Sequence, residues 1–166
     1  MVGPPLRCCV VPRVSRARFF GVLALALIVV GCGGSAYTKS DFIARADAIC
    51  TSTVRQARAL APPASTSGAA LSTYVGRLVP LVESEAAQLR ALKRPTDTAH
   101  DKATLTAYFA ALGQVVDAYR QLEAAAGRGD AQTIADVEAT LRSSPVASLA
   151  SGYGLKTCGT PGSTSV

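Results

Sequence analysis

Apolar residues recur at steps of three and four in four stretches of this chain, which is the spacing of one face of an α-helix. The first two stretches run from Phe42 to Leu60 and from Leu71 to Leu92. The third runs from Leu105 to Ala126 and keeps a near-heptad spacing. The fourth runs from Ile134 to Leu141 and continues from Val146 to Ala150. This pattern predicts an all-α domain with four helices.

Residues that cap helices precede three of these stretches. Thr38 or Ser40 can accept hydrogen bonds from the first free amides of the first helix. Asp97 or Thr98 can do the same for the third helix. Asp130 is in the same position before the fourth. Helix starts are therefore expected within a few residues of these positions.

Proline and glycine predict where the helices end. Pro62 with Pro63 should stop the first helix, because proline lacks an amide donor and disfavours helix in the preceding residue. Pro95 ends the second and the glycines of 127–129 end the third. Pro80 lies inside the second stretch and predicts either a kink or two shorter helices.

Short connections between the four stretches favour an up-down-up-down four-helix bundle, in which each helix is antiparallel to the next. The fourth helix then returns to the end where the first begins. This order would bring the C-terminal segment alongside the first helix.

The segment before the first helix has the three parts of a secretory signal. Four arginines without any acid precede an apolar run from Phe19 to Val30, and small residues surround the cysteine that follows. The run is shorter than the roughly 20 apolar residues that a membrane-spanning helix needs. An exported protein is therefore predicted.

The end of this segment resembles the lipobox of bacterial lipoproteins, with Val29, Val30 and Gly31 in the three positions before Cys32. The resemblance implies that Cys32 receives a thioether-linked diacylglyceryl group and becomes the new N-terminus. The alternatives are an ordinary cleaved signal with a chance cysteine, or an uncleaved membrane anchor.

Cleavage before Cys32 divides the chain into four parts. Residues 1–31 would be the removed signal, 32–37 a lipidated tether, 38–158 the helical domain and 159–166 a disordered tail. The roughly 135 residues of the mature chain suffice for one domain with a modest core.

Charge and cysteine content change once the signal is set apart. The whole chain has a net charge of +6, but four of its seventeen basic residues are in the signal, which leaves +2 against eleven acids. We therefore expect no nucleic-acid partner. Beyond Cys32 only Cys50 and Cys158 remain, and an oxidising compartment favours a disulfide between them. Two separate thiols, or a metal pair, are the alternatives.

No pattern for catalysis stands out. The single histidine, His100, lies near Asp97 and Asp101 but belongs to no metal-binding Glu-x-x-His pair, and it is interpreted as a solvated residue of a first helical turn. Two pairs of acids are spaced by two positions, namely Glu83 with Glu85 and Asp136 with Glu138. The two members of each pair therefore lie on different faces of their helix. We interpret these four as surface charges. We expect no enzyme, cofactor or metal site.

Four aromatic residues in the second and third stretches could line a ligand cavity between helices, although core packing explains them more simply; they are Tyr74, Tyr108, Phe109 and Tyr119. A small apolar ligand is the alternative expectation for the domain.

Two motifs carry a family resemblance: Ala-Asp-x-Ile-Cys at Ala46 to Cys50 and Tyr-Gly-x-x-x-Cys at Tyr153 to Cys158. The mature chain resembles the small helical lipoproteins of high-GC actinobacteria. That resemblance implies a secreted, lipid-anchored, disulfide-closed helical domain and says nothing about a substrate. The function expected is a non-catalytic lipoprotein on the outer side of the cell membrane, which docks an unidentified protein or the cell wall.

Overall fold

Helices form where the sequence supplies caps and apolar stripes. The computed structural model of the protein describes residues 37–95 and 98–158, which contain five helices. They are α1 (Lys39–Arg58), α2 (Gly68–Ala91), α3 (Ala99–Arg128), α4 (Ala131–Arg142) and α5 (Val146–Tyr153). The all-α prediction is confirmed for this part of the chain. The predicted signal, the lipobox residues Val29 to Cys32 and the predicted tail of residues 159–166 lie outside the described residues.

The capping residues confirm the predicted helix starts. Thr38 accepts a hydrogen bond from the Asp41 amide at 3.2 Å, and the Asp41 carboxylate accepts one from the Thr38 amide at 2.9 Å. This reciprocal pair is a capping box. Thr98 caps α3 by accepting from the Asp101 amide, and Asp130 caps α4 by accepting from the Thr133 amide.

Two of the predicted helix ends need correction. α1 ends at Arg58, before the two prolines that were expected to stop it. α2 continues through Pro80, so two shorter helices are wrong for this region. Proline has no N–H, so Pro80 cannot donate a hydrogen bond to the carbonyl of Gly76. Pro80 is exposed, and water can therefore hydrate that carbonyl. α3 ends as predicted, with Gly129 in the left-handed conformation at φ 69°.

The predicted fourth helix consists of two segments. α4 ends at Arg142, and α5 begins after Pro145 occupies the N-cap position. The Ser144 hydroxyl accepts a hydrogen bond from the Val146 amide at 3.4 Å, which supports the new helix start.

α3 is the central helix of the described part. It packs against α2, α4 and α5, whereas α1 packs on α2. Ser72 on α2 faces Gly127 near the end of α3, and Arg90 at the end of α2 faces Gly113. This reversed order shows that α2 and α3 run in opposite directions.

The core is built largely from small side chains, which allow the helices to approach closely. Eight alanines are buried, together with apolar side chains from all five helices; the alanines are Ala46, Ala57, Ala86, Ala111, Ala118, Ala125, Ala126 and Ala150. The members of this buried cluster come from the chain between Phe42 and Cys158, both included. The described residues 37–95 and 98–158 belong to one compact unit. This part of the chain therefore contains the packing that its own folding requires.

Candidate functional site

A buried disulfide joins the first helix to the C-terminal segment. Cys50 on α1 and Cys158 beyond α5 are bonded across 108 positions, with their Cα atoms 5.4 Å apart. Both residues are fully buried. The predicted pairing is confirmed.

Asp47 holds the same segment one turn earlier on α1. Its carboxylate accepts hydrogen bonds from the backbone amides of Lys156, at 3.0 and 3.1 Å, and of Thr157, at 2.8 Å. Residues three apart share a helix face, so Asp47 and Cys50 meet the segment together. The carboxylate thus satisfies two amides that belong to no helix.

Tyr153 and Gly154 shape the entry to this segment. The Tyr153 ring is buried against Phe42 of α1 in an edge-to-face contact, with centroids 5.6 Å apart. Gly154 has a φ of 107°, a backbone angle that residues with a side chain rarely adopt, and it turns the chain out of α5. Leu155 is buried immediately afterwards.

We call the set of Asp47, Cys50, Tyr153, Gly154 and Cys158 the C-terminal clasp. It brings together the two sequence motifs that lie about a hundred positions apart. Each named residue in it has a structural role, which is amide capture, cross-linking, ring packing or a turn. The motifs thereby acquire a physical explanation that does not involve a substrate.

Glu85 is the residue that sequence reasoning misplaced. It was interpreted as a surface charge, but it is only 2% exposed. Its Oε1 lies 3.7 Å from the Cys50 sulfur. A disulfide sulfur has no hydrogen to donate, so this contact does not satisfy the carboxylate. Among the described residues Glu85 Oε2 has no hydrogen-bond partner.

The surroundings of Glu85 favour its neutral form. Burial raises the pKa of Glu85 to about 7, and a hydrogen bond from the Thr53 hydroxyl opposes the rise. Tyr108 of α3 is buried nearby, and its hydroxyl has no hydrogen-bond partner in the described part of the chain. Burial first, and then the charges of Glu85 and Asp47, raise the pKa of Tyr108. The core therefore contains a carboxyl and a phenol that both resist ionisation.

A helical signal for the burial of Glu85 was present in the sequence. Leu78, Val82, Glu85 and Leu89 follow steps of four, three and four, so Glu85 lies on the buried stripe of α2. Glu83 lies off that stripe and bonds the Arg120 side chain at 2.7 Å. The prediction that Glu83 and Glu85 do not face each other is correct.

An apolar groove runs between α2 and α4, with α3 as its floor. Its volume is about 400 Å³. Tyr74 and Leu78 form one wall, Leu141 the other, and Tyr119 lies in the floor. At the rim Arg142 pairs with Glu138 at 3.6 Å. The groove could accept a small apolar molecule with one polar end.

The remaining candidates are separated from one another. His100 is exposed in the first turn of α3, as predicted. The described residues contain no cluster of three or more histidine, cysteine or acidic side chains that could hold a metal ion. None of the helices in residues 37–95 and 98–158 combines the length and apolar character that crossing a membrane requires.

Comparison of the chain with protein-family models, with curated proteins and with solved structures found no match.

Proposed function

We propose that this protein is a lipoprotein anchored to the outer side of the cell membrane through Cys32, and that it acts as a non-catalytic interaction or structural module of the envelope. The observation that carries the proposal is the buried disulfide between Cys50 and Cys158. It pairs the two cysteines that follow Cys32 in the sequence. Disulfides persist mainly outside the cytoplasm, which agrees with an exported chain.

The N-terminal sequence supports the anchor. Val29, Val30 and Gly31 before Cys32 resemble a lipobox. A diacylglyceryl group supplies two acyl chains, and stable attachment to a membrane takes two such signals rather than one. The similarity to small actinobacterial lipoproteins is part of the same proposal, with the C-terminal clasp as the structural counterpart of its two motifs.

The proposed architecture is the up-down-up-down bundle. Its support is the antiparallel contact of α2 with α3 and the proximity of the C-terminal segment to α1 at Asp47 and Cys50. α4 and α5 together take the place of the fourth helix.

Burial of Glu85 supports a non-catalytic role. A carboxyl with a raised pKa is a common feature of general acids and bases. At 2% exposure, however, this carboxyl touches core side chains rather than solvent, so a dissolved substrate does not reach it. We propose that the domain works through its surface.

Replacement of Cys32 tests the anchor. Cys32→Ala should release the protein from isolated membranes or leave it unprocessed, and intact mass spectrometry should show loss of the acyl groups. Cys9→Ala, within the predicted signal, is the matched control and should leave both unchanged. Membrane attachment with unaltered lipid mass in Cys32→Ala would refute the proposal.

A second candidate function is capture of a small apolar ligand, and the groove between α2 and α4 favours it. Its volume of about 400 Å³ is within the range of small-molecule sites. Native mass spectrometry of the domain purified from its own host should then show a bound mass. Leu141→Trp, which fills the groove, should remove that mass, whereas Leu149→Trp on α5 should retain it. A domain that carries no added mass contradicts this function.

A further inference from the structure

Basic side chains gather at the end of the domain where α1 begins, α2 ends and α3 begins. Two of them lie near the Tyr37 ring, whose centroid is 5.4 Å from the Arg45 guanidinium carbon and 5.7 Å from Lys93 Nζ. Lys39 and Lys102 lie at the same end, because Lys39 bonds Asp101 at 2.6 Å. We call this set the basic end; its members are Lys39, Arg45, Lys93, Arg94 and Lys102.

Among the described residues, few acids neutralise the basic end. Asp101 pairs with Lys39, and Asp41 is bonded to Thr38 in the capping box. Hydrogen bonds hold the pKa of each of these two carboxyls below its ordinary value, so both are charged at neutral pH. Lys93, Arg94 and Lys102 form no ion pair with any residue of the described ranges. All three are exposed, so within the described ranges their charge can meet a partner.

Two of these cations border an open cavity of about 430 Å³. Arg94 and Lys102 supply its charged walls, and Pro95, Leu105 and Phe109 its apolar surface. The Arg94 guanidinium stacks on Phe109 with 3.9 Å between its carbon and the ring centroid. The stacking holds the guanidinium in place while its edges can donate hydrogen bonds. Two cations over an apolar floor suit a phosphate that is attached to an apolar chain.

The position of the basic end relative to Cys32 identifies such a phosphate. Cys32 precedes Tyr37 by five residues. Even a fully extended chain of that length spans only about 17 Å. An acyl group on Cys32 would therefore hold Tyr37, and with it Lys93 and Arg94, close to the lipid headgroups.

We propose that the basic end binds the headgroups of anionic phospholipids, with one lipid phosphate between Arg94 and Lys102. The proposal rests on the lipid anchor proposed above and adds an orientation: the domain meets the membrane with this end. Residues at the far end of α1 then point away from the surface, because a helix of 20 residues is about 30 Å long.

Vesicle binding of the unlipidated domain, residues 35–166, tests this orientation. The domain should co-sediment with vesicles of phosphatidylcholine and phosphatidylglycerol but not with phosphatidylcholine alone. Binding should weaken as salt is raised, because salt screens exposed charges. The salt series uses the unaltered domain, so it does not depend on any substitution.

A double variant tests the cavity. Arg94→Gln with Lys102→Gln should weaken vesicle binding about 30-fold, given the typical contribution of each basic residue near an anionic surface. Arg55→Gln with Arg58→Gln makes the same charge change at the other end of α1, where both side chains are exposed. This control should bind like the unaltered domain. Thermal unfolding of both variants checks that they remain folded.

Two results would overturn the proposal. Equal losses in both double variants would indicate a general charge effect without a site. If inorganic phosphate shifts the NMR signals of Arg94 and Lys102 but the domain does not bind vesicles, the cavity is a site for free phosphate instead. Because the unlipidated domain has no anchor, these results are independent of the Cys32→Ala experiment, so failure of the headgroup proposal is distinguished from failure of the anchor.

Discussion

Glu85→Gln should remove most of the pH dependence of stability between about pH 4.5 and pH 7. Glutamine has nearly the shape of glutamate but does not ionise, so the substitution tests the charge separately from the packing. Glu85 is suited to this test because it is 2% exposed and its carboxyl lies among Cys50, Thr53 and Tyr108. None of these neighbours carries a positive charge.

The magnitude follows from the pKa of Glu85, which burial raises from 4.5 to about 7. A carboxyl with a raised pKa binds its proton more tightly in the folded state than in the unfolded state. The contribution of Glu85 to stability is therefore fully present below the unfolded pKa of 4.5 and is lost as the pH rises through 7. One pKa unit corresponds to about 1.4 kcal/mol, so the decrease is about 3 kcal/mol.

Urea unfolding, followed by circular dichroism at several pH values across this window, measures the effect. The free energy of unfolding of the unaltered domain should fall by about 3 kcal/mol, and that of Glu85→Gln should stay nearly level. Glu83→Gln is the matched control, since its carboxylate is partly exposed and bonds Arg120. In Glu83→Gln the free energy of unfolding should change with pH as it does in the unaltered domain. Parallel curves for Glu85→Gln and the unaltered domain would refute the reasoning.

Three further predictions concern the core and the C-terminal clasp. Reduction of the disulfide, or Cys50→Ala with Cys158→Ala, should lower the free energy of unfolding by up to about 4.7 kcal/mol in the chain-entropy model. The oxidised protein should also run faster than the reduced protein on a denaturing gel. Unchanged mobility together with two titratable thiols would contradict the bond. Asp47→Ala should cost about 1–3 kcal/mol in urea unfolding, because two backbone amides lose their acceptor; a neutral result would mean that water replaces the carboxylate. Tyr108→Phe should leave the melting temperature unchanged or raise it, because the hydroxyl is buried without a hydrogen-bond partner among the described residues, and a clear decrease would show that the hydroxyl contributes to stability.

Local sequence signals located the helices well, because helix starts depend on residues that are neighbours in the chain. Thr38, Thr98 and Asp130 cap helices through amides three positions ahead, so the prediction needed no tertiary information. The early end of α1 was missed because proline marks the last position a helix can reach rather than the point where it stops. The path through Pro80 depended on its exposure, which spacing alone did not reveal.

The aromatic residues show the limits of periodicity. Tyr108 and Tyr119 are buried, as apolar stripes predict, whereas Tyr74 lines the groove and Phe109 lies under Arg94. All four lie in the second and third apolar stretches of the sequence. Their different environments follow from which helix packs opposite each one, and that is a property of the assembled domain.

The sequence by itself determined the helices, the division of charge along the chain and, once the predicted signal was set apart, the cysteine pair Cys50 and Cys158. Each of these depends on local chemistry or on counting. Only the tertiary structure showed that Asp47 captures the amides of Lys156 and Thr157 and that Glu85 is buried beside the disulfide. These contacts join residues far apart in the chain. The free energy of a buried charge or a captured amide depends on neighbours that only folding brings together.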